Sequence, residues 1–181
     1  MQRFGVFFSQ SWYVNLPSMQ KELIRTTFEL YAREERLNSQ FSDYSFVIFP
    51  MSKAYEGFLK KFLYDSQLIT SKMYVDKRFR IGRSLNPDLN PAHQEEDWVY
   101  PRLRQSCGEH LSRMLWDTWL QCRNQVFHYF PDNDRRLSLQ AAGEYIELLA
   151  QTMEKTQECE LQIVSKPNPV YNNTSRQASD Q

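Results

Sequence analysis

Arg123, Asn124 and His128 are the side chains of this chain best suited to chemistry. They lie together in Arg123-Asn124-Gln125-Val126-Phe127-His128. Arginine is a fixed cation with a planar fork of donors, suited to a phosphate and to charge building on phosphorus. Histidine moves a proton near neutral pH. Asparagine orients either group through its amide. Together the three suit phosphodiester chemistry. Asn124 and His128 are four apart and share one face of a helix. Arg123 is five before His128, about 140° away on an ideal wheel. Its long side chain, or a partner subunit, must therefore bring it to the imidazole.

The motif ends the strongest helical stretch of the chain, 102–130. On a wheel, Leu111, Leu115, Trp119, Cys122 and Val126 form a core stripe. Trp116, Leu120 and Phe127 form a second apolar stripe, and Arg113, Asp117, Asn124, His128 and His110 lie opposite the core. A helix with two apolar faces is central in a bundle or shared with a partner. The eight prolines leave 18–49, 51–86, 102–130 and 132–166 free, and each can hold a helix. Residues 18–37 read as an amphipathic helix on Leu23, Thr26, Thr27, Leu30 and Leu37. Residues 41–49, β-branched and aromatic, read as a short strand or an extended approach. Residues 52–69 read as a helix capped by Ser52 after Pro50, and 135–158 as another. A long connection over 70–100 holds Lys72, Lys77, Arg78, Arg80 and Arg83, then two prolines, then Glu95-Glu96-Asp97. Residues 162–181 are polar and read as a disordered tail.

Composition sets the frame. The 181 residues carry 22 Lys plus Arg and 22 Asp plus Glu, so the net charge is zero. That excludes a histone-like or ribosomal role, which needs bulk phosphate neutralisation. The zero is a sum of unlike parts: residues 53–83 hold eight basic and three acidic side chains. A hydrophobic share of 41% supports one real core, and only five glycines favour helices over a sandwich. The longest fully apolar run is Phe46-Val47-Ile48-Phe49, so no membrane span is expected. No signal-peptide h-region follows the N-terminus. Three cysteines, Cys107, Cys122 and Cys159, suggest free thiols and a reducing cytoplasm. The wheel sets Cys122 nearly opposite His128, so no shared zinc is expected. With no Gly-rich phosphate loop either, no cofactor is expected.

The Arg123–His128 motif is followed at once by Tyr129-Phe130-Pro131 and a further amphipathic helix. Upstream lies the helical segment Ser52-Lys-Ala-Tyr-Glu-Gly-Phe-Leu-Lys-Lys-Phe-Leu63. This arrangement resembles the HEPN superfamily, whose mark is Arg, a polar residue, three or four more residues, then His. More narrowly, Tyr55–Lys60 and Arg123–His128 look like the HEPN domain of RNase LS-type toxins. The resemblance covers about residues 50–158.

It implies an all-α, HEPN-like helical bundle over 50–160, with an N-terminal extension over 1–49 and a disordered tail over 161–181. It implies a homodimer in which two motifs meet in a composite active site. RNA would be cut without metal: the ribose 2′-OH attacks phosphorus and leaves a 2′,3′-cyclic phosphate and a 5′-OH. His128 would then transfer protons, Arg123 would hold the scissile phosphate, Asn124 would orient them and Glu56 would polarise His128. Trp116, Leu120 and Phe127 would serve the dimer interface. Lys72, Lys77, Arg78, Arg80 and Arg83, with Tyr74 and Phe79 beside them, would track the RNA backbone. Toxins of this sort are held by a cognate antitoxin, so a protein partner is expected. The alternatives are a non-catalytic HEPN-like binding or regulatory module and a structural helical adaptor.

Overall fold

A computed structural model describes residues 3–131 and 135–165, with side chains as far as Cys159. The described regular structure is helical throughout, so the chain is all-α as expected. A 3-10 turn (Gly5–Ser9) leads into α1 (Ser11–Val14), α2 (Ser18–Leu37) and α3 (Ser45–Asp65). Two short helices follow, α4 (Ser71–Val75) and α5 (Ile81–Ser84), then a 3-10 turn at Pro91–His93. The chain continues through α6 (Tyr100–Trp119), a π-turn (Leu120–Asn124), α7 (Gln125–Phe127) and α8 (Leu139–Ser165). No described helix is long and apolar enough to cross a membrane.

Helix α2 has the expected span, but its buried face is Ile24, Thr27, Phe28 and Tyr31. Leu37 is exposed, because the stronger aromatic stripe wins the core. Asn38 ends the helix in the left-handed region. Helix α3 begins seven residues earlier than the Ser52 cap implied. Residues 45–49 are helical, and the Asp43 carboxylate accepts from the Ser45 amide at 2.9 Å. Pro50 lies inside the helix. The next amide, Met51, donates to the Thr27 hydroxyl at 3.0 Å, so α2 supplies a partner where proline disturbs the ladder. Packing drives this outcome: Val47, Ile48 and Met51 recur at helical spacing and are fully buried.

The boundary expected at 49/50 therefore falls within α3. Phe4, Trp12, Ile24 and Phe28 share one core with Tyr55, Leu59, Leu115 and Ile146. The described part of the N-terminal segment belongs to the same packed body. Helix α8 contributes Ala142, Ile146, Leu149, Ala150 and Met153, all fully buried. It runs to Ser165, past the start of the expected tail, and residues 166–181 lie outside the described residues.

Helix α6 is broken once. Gly108 adopts φ +82° and ψ 162°, a conformation essentially confined to glycine. The Ser112 hydroxyl caps the break by donating to the Gly108 carbonyl at 2.8 Å. Beside it, Cys107 forms a disulfide with Cys159 of α8. This corrects the expectation of free thiols: distant in sequence, the two cysteines sit on helices that pack together. Cys122 alone is a free thiol, and it is buried.

Candidate functional site

The motif helix does not continue as the ideal wheel assumed. After Trp119 it opens into the π-turn, where the Gln125 amide reaches back five residues to the Leu120 carbonyl. The wider turn shifts the backbone ladder, and α3 supports it. The buried Ser52 hydroxyl lies 2.7 Å from the Cys122 carbonyl and 3.0 Å from that of Ile48. One turn on, the Tyr55 hydroxyl donates to the Leu115 carbonyl at 3.1 Å. Ser52 is thus no helix cap but a buried brace for the motif. Burial pushes the Tyr55 phenol and the Cys122 thiol well above their ordinary ranges, so both stay protonated.

Arg123 sits within this turn, about one-third exposed. Its Nε donates to Glu56 Oε2 at 3.1 Å, and its guanidinium lies 5.9 Å from the centre of the Trp119 ring. Trp119 in turn stacks on Trp116 at 5.5 Å. A Cβ at Gly82 would overlap the Trp119 indole, so α5 packs its glycine backbone directly on this ring. Gly82→Ala is expected to cost about 1–3 kcal/mol by overpacking. It should also shift the tryptophan fluorescence, because the indole has to move. A melting temperature and emission maximum identical to wild type would contradict that packing.

His128 follows α7 with extended backbone and an exposed side chain. It lines a cavity of about 530 Å³ with Asp43, Phe127, Tyr129, Phe130 and Arg135. Arg123 lines another, of about 440 Å³, with Phe49, Lys53, Glu56 and Lys60. Phe127 is a wall of both, and Phe49 meets it edge-on at 5.3 Å. The two expected catalytic groups therefore flank one phenylalanine in adjoining pockets. Asn124 is half-buried beside them, with no side-chain hydrogen bond among the described residues.

The segment after His128 is pinned by Asp43 and Tyr44. Asp43 Oδ1 accepts from the Leu137 amide at 3.1 Å, and the Tyr44 amide donates to the Leu137 carbonyl at 2.9 Å. Burial raises the Asp43 pKa, but the Leu137 and Ser45 amides, the Ser45 hydroxyl and nearby Arg136 outweigh it. The carboxyl ends below its ordinary range.

Several expected roles change. Glu56 was expected to polarise His128, yet within one chain it is bonded to Arg123. Trp116 was expected at a dimer interface but is 8% exposed, buried in its own core beside Trp119. From Leu111 to Trp119 the helix is unbroken and buries both apolar stripes, Leu111, Leu115 and Trp119 on one and Trp116 on the other, as a helix central in a bundle does. Leu120 and Phe127 are half-buried against the same core. Of the basic run, Lys72, Lys77, Arg78 and Arg80 are exposed. Arg83 is not available: it pairs with Glu95 at 2.9 Å and Asp97 at 3.7 Å, and donates to the His93 carbonyl. The acidic run folds back on the basic one. Phe79 is buried and Tyr74 stacks on Tyr64, so neither offers a free ring. Lys60 Nζ donates to the Asp76 carbonyl at 3.1 Å, which ties this segment to the edge of the Arg123 pocket.

Sequence reasoning missed Phe49, Lys53, Lys60 and Asp43. The first two and Lys60 had a signal. With Glu56 they are spaced four, three and four apart, one helical face. Pro50 concealed it by suggesting a helix start after Phe49. Comparison with family models, curated proteins and solved structures finds no match for this chain.

Proposed function

We propose that this chain is a metal-independent endoribonuclease of the toxin or phage-defence type, with RNA as substrate and a homodimer as active form. The observation that carries the reading is the placement of Arg123 and His128 on either side of Phe127 at the end of one braced helix. Arg123 is oriented by Glu56 and Trp119, which suits a cation that must meet phosphate in one pose. His128 is exposed, as a proton-transfer group must be to reach a polymer.

In this reading His128 takes the proton of the ribose 2′-OH as that oxygen bonds to phosphorus. The bond to the 5′-oxygen breaks, and that oxygen leaves with a proton returned by the histidine imidazolium. Arg123 stabilises the charge on the phosphoryl oxygens in between. Because the two groups line separate pockets, a two-fold axis beside Phe127 would bring one chain's Arg123 towards the other's His128. An antitoxin-like protein is the expected restraint, and the cytoplasm the expected setting. There a reducing thiol pool would act on the Cys107–Cys159 bond.

RNA incubated with the protein in excess EDTA should yield 2′,3′-cyclic phosphate and 5′-OH ends, read by end-specific labelling. One observation favours a second reading, a binding or regulatory module: within one chain Arg123 and His128 do not share a pocket. RNA that is bound but left intact would select it. Cleavage that requires Mg²⁺ would end the proposed mechanism.

A further inference from the structure

The pocket beside Arg123 holds side chains that the cleavage step does not use. Phe49, Lys53, Glu56 and Lys60 line one side from α3, and Arg123 and Phe127 close the other. At about 440 Å³ it has room for one nucleotide unit. Phe49 is 53% exposed, although its neighbours Val47 and Ile48 are fully buried. The edge-on Phe127 ring sets its position while more than half of it stays open to solvent. Three cations and one carboxylate line the pocket with this ring. Glu56 engages Arg123 through Nε, and the two terminal nitrogens of that guanidinium form no hydrogen bond among the described residues. Lys53 forms no ion pair or hydrogen bond among them either. Lys60 spends one donor on the Asp76 carbonyl and lies 5.6 Å from the centre of the Phe79 ring, at the far end of the pocket.

A fixed aromatic platform in one pocket with surplus cations matches the chemistry of single-stranded nucleic acid, with the base on the ring and the phosphate on the cations. An acidic peptide would use the cations but leave Phe49 idle. A partner helix would need an apolar strip, and this pocket has charge beside a single exposed ring.

We infer that this pocket is a nucleotide subsite for single-stranded RNA. An unpaired base stacks on Phe49, and its phosphate lies among Lys53, Lys60 and Arg123. Because Arg123 also serves the proposed scission, the stacked nucleotide adjoins the cut. That placement rests on the ribonuclease reading; the binding does not.

The test uses the whole wild-type protein and a single-stranded RNA oligonucleotide that is 2′-O-methylated throughout and carries 2-aminopurine. Methylation removes the nucleophile, and stacking quenches the probe. Binding should quench it. Phe49→Ala should weaken affinity about five- to a hundred-fold and abolish the quenching, and Phe49→Trp should retain both. Lys53→Ala should lower the slope of log affinity against log salt by about 0.7. Unchanged affinity and quenching in a folded Phe49→Ala protein would overturn the subsite. So would equally tight binding of the paired duplex. If unmodified RNA is bound with quenching but never cut, the endoribonuclease reading fails and the subsite stands. If cleavage proceeds and Phe49→Ala disturbs neither cleavage nor stacking, the subsite fails and the endoribonuclease stands.

Discussion

His128→Ala is expected to lower RNA cleavage by about 10²–10⁴-fold, the usual worth of a positioned proton-transfer group. Stability should stay within about 0.5 kcal/mol of wild type, as for most surface substitutions. The separation of the two effects follows from placement. His128 lies beyond α7, exposed, with extended backbone, so its removal leaves the core intact. Measured cleavage rates in EDTA, with a thermal melt alongside, decide the matter. Cleavage that survives the substitution would exclude His128 as the proton carrier. Mixing adds a sharper arm. If the proposed homodimer forms, His128→Ala and Arg123→Ala proteins, each strongly impaired, should regain part of the activity when combined, because a mixed dimer would rebuild one site from an intact Arg123 and an intact His128. If the pair acts within one chain, no mixture recovers.

Loss of the Cys107–Cys159 bond is expected to cost about 2–4 kcal/mol. The two cysteines are 52 residues apart, and closing a loop of that size in the unfolded chain is worth about 4 kcal/mol in the entropic model. The bond also fixes the Gly108 break of α6 to α8, next to a glycine in a conformation that other residues rarely adopt. A double Cys107→Ser, Cys159→Ser variant, or wild type under a strong reductant, should melt about 5–15 °C lower. An unchanged melting temperature would show that the fold holds α6 on α8 without the crosslink. Cys122 is buried and its thiol is held protonated, so alkylation of the native protein should leave it unmodified and not confuse the result.

The motif's surroundings show how far local pattern reaches. The span of α2 was readable from Pro17 and the helical spacing that follows it, because proline acts on the backbone itself. A helix within 135–158 was readable from apolar spacing alone, and Ala142, Ile146, Leu149 and Met153 form its buried face. The start of α3 was not. Pro50 argued for a boundary, and only Thr27, from another helix, offers the Met51 amide a partner. Trp116 was misplaced for a related reason. An apolar stripe reads equally as core or as interface along the chain, and only packing in the bundle buries the stacked Trp116–Trp119 pair; the turn at 120–124 likewise depends on a brace from Ser52, 70 residues away.

Composition and periodicity by themselves determined the helical class, one real core, the span of α2 and the Arg-Asn-His motif, because these depend on near neighbours along the chain. Tertiary structure alone decided the Cys107–Cys159 bond, the Glu56–Arg123 pair, the capture of Arg83 by its own acidic run, and the Phe49 pocket. All but the Arg83 contact, which closes within one connecting segment, join groups far apart in sequence. Their meeting is set by which helix faces pack together, and backbone propensity carries no information about that.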